Sequence, residues 1–314
     1  MILENKGKKT YGYRVYGLNI QSEIILTELI PLIDSEYNVD VTISYGDILK
    51  QKEQNTENGI NYKSNLRDIS YVIEGIAGYY VSNGDTIIVE PCDNTDIEML
   101  KIFLLGYTFG ILLFQRNNIA IHGGTIVIGD RGVIFTGDSG AGKSTLTTTL
   151  REKGYLFMND DTSVVSIGND RIPVVYPGYP QQKLCKDVLI RMGYNPDDYK
   201  LIDKEREKYA VPVHKNFLEK TLPLAAIFEI TQGDNSEVEI EKIMGIEKLR
   251  VLQKNIYGIS IANQCGVSGE YYKNSLQIAQ SVAIFRIKRP KNKFTVEEQI
   301  AKLEAILKLI DFNV

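Results

Sequence analysis

An apolar stretch that runs into a glycine loop and out into a helix leaves a chain few folds to choose from. Residues 133–146, VIFTGDSGAGKSTL, have that form, and Gly137 to Ser144 match G-x-x-x-x-G-K-[ST] in full. Glycines at these places let the main chain turn its N–H groups inward around phosphate oxygens, and the helix N-terminus adds partial positive charge. Gly137, Asp138, Ser139, Gly140, Ala141, Gly142, Lys143, Ser144 and Thr145 are therefore the candidate set for binding a nucleoside triphosphate. Lys143 is expected on the β- and γ-phosphates and the Ser144 hydroxyl on Mg²⁺.

KSTLTTTLREKG then reads as a helix closed by Gly154, and YLFMNDDTSVVSIG as a further strand. Side chains alternate along a strand, so Asp160 and Asp161 are expected to have separate jobs. One holds the metal or its water and the other orients or deprotonates an attacking hydroxyl; Asp160 is preferred for the metal and Asp161 for the proton. His122, in AIHGG one strand before the loop and beside two glycines, is a third candidate. Its alternative is a hydrogen-bonded structural histidine.

Taken together, IHGGTIVIGDRGVIFTGDSGAGKSTLTTTLREKGYLFMNDDTSVV, residues 121–165, resembles the core of HPr kinase/phosphorylase and its relatives. There a His-Gly precedes the phosphate loop and an Asp pair follows it; the family shares its nucleotide-binding core with ATP-dependent phosphoenolpyruvate carboxykinase. The resemblance implies an α/β fold with a P-loop kinase core and transfer of the γ-phosphoryl group of ATP with Mg²⁺. Thr145 stands where the bifunctional enzymes usually carry Glu, and their later glycine-rich signature has no counterpart, so phosphorolysis is not implied. PGYPQQKLCKDVL (177–189), LPLAAIFEI, FRIKRP and GYYVSNGDTIIVEP are similar to kinase relatives encoded with peptide-modifying systems, including those that phosphorylate the C-terminal serine of lasso-peptide precursors. The implied acceptor is a serine hydroxyl on a peptide. The rivals are a free amino acid or other small molecule as acceptor and, from another class, a non-catalytic ATP-binding regulatory module. The resembled bifunctional enzymes form hexamers, so a homo-oligomer stands beside monomer and dimer.

Around this core, residues 10–91 are rich in Tyr, Val and Ile in alternating pieces, and SNGD marks a tight hairpin. A β-rich N-terminal module over 1–95 and a kinase domain over 96–314 are expected. Residues 51–65 read as a loop, and the proline-rich segment 173–215 as loops and short helices. LPLAAIFEI and SVAIFRI read as strands, and TVEEQIAKLEAILKLI as an amphipathic helix capped by Thr295. IFLLGYTFGILLF (102–114) is shorter than the roughly 20 residues that cross a bilayer. Glu98, Lys101 and Arg116 flank it, and a core helix without a membrane span is expected.

A net charge of −4 argues against nucleic acid or an anionic membrane as partner. Cys92, Cys185 and Cys265 lie far apart with no C-x-x-C pair, which suggests neither a disulfide framework nor zinc and fits a cytoplasmic protein; no secretory signal is read at the N-terminus. The run RIKRPKNK (286–293) reads either as a solvated strand end or as a source of substrate contacts, Arg286 and Arg289. Arg206 and Lys208 of the wrapping segment, with Tyr179 and Gln181 of PGYPQQK, complete the candidate substrate set.

Overall fold

The computed structural model describes residues 2–5, 8–33, 36–48, 55–57, 60–257 and 265–309. The chain is a mixed α/β protein whose backbone divides into two compact units, Met1–Ala120 with Tyr257–Tyr272, and Ile121–Ile256 with Lys273–Val314. The division therefore differs from the expected boundary after residue 95.

The reason lies in the helix that follows the first sheet. It runs Ile97–Phe103, passes through a π-helical turn Leu104–Thr108 and continues Phe109–Gln115. The Tyr71 and Thr108 hydroxyls share a hydrogen bond of 2.6 Å, and the Tyr79 hydroxyl donates to the Leu100 carbonyl at 2.9 Å. Gly106 and Gly110 lie against the Tyr257 ring, which draws the later segment into the same unit. The helix, at 19 residues, is longer than the apolar run read from the sequence and passes the length and composition test for a membrane span, yet 67% of its most apolar window is buried within the protein.

The sheet of this unit is largely antiparallel. SNGD closes the hairpin Ala77–Ser82/Thr86–Pro91, with Asn83 and Gly84 at φ 52° and 71°. Residues 51–65 are not all loop: Asn55–Glu57 and Ile60–Ser64 pair as strands, extending the sheet through backbone hydrogen bonds that need no apolar pattern.

In the second unit, residues 123–128 of the strand Ile119–Ile128 pair with Arg131–Gly137 as an antiparallel hairpin. Arg131–Gly137 then pairs in parallel with Leu222–Gly233, which pairs in parallel with Ala283–Pro290; Glu239–Ile243 closes that edge antiparallel. Phe135, Phe228 and Phe285 sit in register across the three parallel strands and stack at 5.7 and 4.9 Å between ring centroids. The helix Lys143–Glu152 brings Leu146 and Leu150 to this core, and the C-terminal helix Val296–Leu309 brings Ile300 and Leu303. Each such buried side chain stabilises the unit by about 1.5–3 kcal/mol.

YLFMNDDTSVVSIG is two strands, Leu156–Asn159 and Thr162–Ile167, and the Asp pair occupies the break between them. Segment 173–215 is also more ordered than its prolines suggest. Gln181–Cys185, Lys208–Pro212 and Lys200–Asp203 form a small antiparallel sheet, because Gln182, Leu184 and Val211 turn inward in alternation.

Candidate functional site

Gly137 ends its strand at φ 134°, and a Cβ there would lie 2.3 Å from the Ile230 carbonyl oxygen of the neighbouring parallel strand, so only glycine fits. Gly140 and Gly142 also take positive φ, and the loop opens at Lys143 into the helix whose first-turn N–H groups have no partner within it. The two neighbouring parallel strands extend past Gly137 and supply the loop's outer braces. Gln232 Nε2 donates to the Gly140 carbonyl at 2.9 Å, while Arg289 donates to the Ala141 carbonyl at 2.6 Å and to Gly140 at 3.1 Å. Arg289, expected on the substrate, is instead bound to the loop's carbonyls.

Inside the loop, the Lys143 ammonium donates to the carbonyls of Gly137 at 2.7 Å and Asp138 at 3.1 Å. Burial lowers its pKa, against the pull of Asp161. The Asp138 side chain faces outward to Lys254 at 3.0 Å. Ser144 and Thr145 sit half-buried in the first helical turn, and Ser139 is exposed.

The Asp pair is pressed against the strand that carries His122. Gly123 N–H donates to the Asp161 carbonyl at 3.1 Å, and a Cβ on Gly124 would stand 3.1 Å from the carbonyls of Asn159 and Asp160. Gly124 thus permits the approach, while a Cβ on Gly123 would meet the Phe135 carbonyl oxygen of the hairpin partner at 2.3 Å. His122 Nδ1 lies 3.6 Å from Asp161 Oδ1, and its backbone is fixed by N–H donation to Asn255 at 2.8 Å and by the Thr136 hydroxyl on its carbonyl at 2.7 Å. Burial lowers the His122 pKa more than Asp161 raises it, and the surrounding lysines lower it further.

The two acids differ in environment. Burial first, then the Asp161 charge, pushes Asp160 up to about 6, despite the Lys183 amide on its carboxylate. Asp161 is also desolvated, but Lys183, His122, Lys208 and Lys143 outweigh that and hold it below the usual carboxylate range. Asp160 is gripped on both oxygens by the strand Gln181–Cys185: Lys183 N–H donates to Oδ2 at 2.8 Å and Gln182 Nε2 reaches Oδ1 at 3.5 Å. Asp161 stays 28% exposed.

The remaining substrate candidates are scattered. Lys208, half-buried, is within electrostatic reach of Asp161, Lys143 and His122. Arg206 is 74% exposed at a turn beside Asp203. Tyr179 and Gln181 are half-buried, Gln181 at the edge of the small sheet. Arg286 is committed elsewhere: it bonds Glu229, buried in the central strand, at 2.8 Å, and also meets Glu241 and Glu247. Three residues absent from the sequence reading join the site: Gln182, Lys183 and Arg151. For Gln182 and Lys183 the one sequence signal is alternation in QQKLC, which turns Gln182 inward and its predicted neighbour Gln181 outward; Arg151, on the helix Lys143–Glu152, has none.

Beside the loop lies a cleft of about 390 Å³ lined by Gly142, Thr145, Arg191, Arg289 and Phe294. Phe294 is 54% exposed, with the Arg191 guanidinium 4.8 Å from its ring centroid. Among the described residues no group of three or more His, Cys, Asp or Glu could by itself cage a metal. The Ser144 hydroxyl and the Asp160 carboxylate beside the glycine loop are oxygen donors of the kind Mg²⁺ takes, since that ion uses few protein ligands and completes its shell with phosphates and water.

No protein-family profile and no characterised relative matches the sequence. Among solved structures, the HPr(Ser) kinase/phosphatase from Coxiella burnetii aligns with 60% of this chain and 97% of its own, at 14% identity and a TM-score of 0.32. A likeness at that level leaves the functional reading to the residues of the site.

Proposed function

We propose that the chain is an ATP-dependent, Mg²⁺-requiring kinase that transfers the γ-phosphoryl group to a serine hydroxyl, with a ribosomal precursor peptide of the lasso type as acceptor. The observation that carries the reading is the convergence of the Lys143 loop, the Asp160–Asp161 break and His122 within one unit. Loop amides and Lys143 hold the triphosphate tail, and the cleft beside Gly142 and Thr145 takes the nucleoside, its base against Phe294 and Arg191. Ser144 and Asp160 hold Mg²⁺, which when bound neutralises charge on the phosphate oxygens.

Asp161, ionised and partly open, accepts the serine proton as the hydroxyl oxygen bonds to the γ-phosphorus; the bond from that phosphorus to the β,γ-bridging oxygen breaks, and ADP leaves with its electron pair. His122, with Nδ1 3.6 Å from Asp161 Oδ1, steadies that carboxylate. Lys183 and Lys208 lower the cost of bringing a tetra-anionic nucleotide toward two carboxylates.

The test is mass spectrometry of serine-terminated peptides and of free serine after incubation with ATP and Mg²⁺. A gain of one phosphate on peptide serine supports the reading; phosphorylation of free serine alone moves the acceptor to a small molecule. Binding of ATP and ADP with equal affinity and no turnover contradicts the kinase assignment.

A further inference from the structure

Gln182 is completely buried, and a buried carboxamide must satisfy both ends. Its oxygen accepts from Arg151 Nη1 at 2.6 Å and from the Thr148 hydroxyl at 3.4 Å. A guanidinium only donates, so the oxygen must face Arg151, and the NH₂ group is forced toward the other side. There it meets the Thr147 hydroxyl at 3.3 Å and Asp160 Oδ1 at 3.5 Å. Arg151 is itself locked, its second nitrogen reaching Glu152 at 2.7 Å and the Tyr194 hydroxyl at 2.5 Å. The Thr147 hydroxyl in turn lies 3.1 Å from the Lys143 carbonyl and 3.3 Å from that of Ser144.

Resting on the metal reading above, we infer that Gln182 and Thr147 form a positioning bridge that sets the spacing between Ser144 and Asp160 and thereby the affinity of the site for a divalent cation. The bridge runs from the backbone carbonyls of Lys143 and Ser144 through one hydroxyl and one carboxamide to the Asp160 carboxylate, and Arg151 fixes the direction in which the carboxamide donates. A residue that served only to join helix and strand would need no such orientation toward the carboxylate. Outer partners of metal-ligating carboxylates govern affinity by holding the ligand's orientation, and their loss costs about 10–100-fold in metal binding.

The experiment is Mn²⁺ titration of the ADP complex by electron paramagnetic resonance, with metal-free ADP affinity measured in parallel. Gln182→Met and Thr147→Val each weaken Mn²⁺ binding about tenfold and leave metal-free ADP affinity unchanged. Thr147→Ser, which keeps the hydroxyl, restores Mn²⁺ binding, and the double variant is no weaker than either single one because the two residues act as a unit. If Gln182→Met does not fold, the Thr147 pair carries the test. Unchanged Mn²⁺ affinity in folded Thr147→Val, or a parallel fall in metal-free ADP affinity, overturns the bridge. Ser144→Ala and Asp160→Asn distinguish the two levels: if neither weakens Mn²⁺ binding, the metal assignment fails, and the bridge fails with it.

Discussion

At Asp160 and Asp161 two adjacent carboxylates with nearly the same sequence context acquire different proton affinities. Asp160 is buried under the strand Gln181–Cys185 and beside a like charge, while Asp161 faces lysines and a histidine. Asp161→Asn therefore lowers kcat by roughly 10²–10⁴, the usual worth of a positioned general base, with nucleotide affinity retained. Steady-state phosphotransfer and nucleotide titration on the same preparation check both halves. The same substitution removes the like charge next to Asp160, so the Asp160 titration moves down from about 6. Carboxyl-carbon NMR on the nucleotide-free protein reads that shift, and a fixed midpoint contradicts the paired-acid geometry. Lys143→Ala costs about 10²–10³ in turnover, as loss of a preorganised charge donor does.

Among the elements, the loop is held open from outside by its parallel neighbours. Gly137→Ala meets both a left-handed backbone and a carbonyl at 2.3 Å; the conformation alone costs about 1–3 kcal/mol, which urea unfolding measures. Arg289→Ala frees the Gly140 and Ala141 carbonyls, and weaker nucleotide binding with little change in the core is the expected titration result. Sequence patterning made the loop, its strand, its helix and the Asp pair legible because each is local. It did not reveal how the basic run divides. Along Ala283–Pro290, Phe285, Ile287 and Arg289 share one face, while Arg286 and Lys288 share the other, where Glu229 and Glu241 wait on strands far off in sequence. Gln182 stayed hidden for a related reason: a one-residue change of face separates it from Gln181, and its partners Arg151 and Thr147 lie more than thirty residues away.

Across the whole chain, the residues of the proposed site belong to the second unit, although residues 257–272 interrupt that unit in sequence to complete the first. The break explains why a boundary drawn from composition fell elsewhere: membership of a unit is decided by packing around Tyr71, Tyr79 and Tyr257, which no linker composition announces. Hydrogen exchange with and without a MgATP analogue is expected to show new protection at 137–146, 158–161 and 181–183, with the sheet of the first unit unaffected. Saturating nucleotide at one hundred times its dissociation constant adds about 2.7 kcal/mol of stability through mass action, an increment that Lys143→Ala removes.

The most direct test of the account is a crystal structure with a non-hydrolysable ATP analogue and Mg²⁺. The expected result is the triphosphate along the amides of 138–145, Lys143 on the terminal phosphate, the cation between Ser144 and Asp160, and Asp161 turned toward the face from which a hydroxyl approaches. A triphosphate bound outside this loop, or an Asp pair directed away from it, contradicts the assignment.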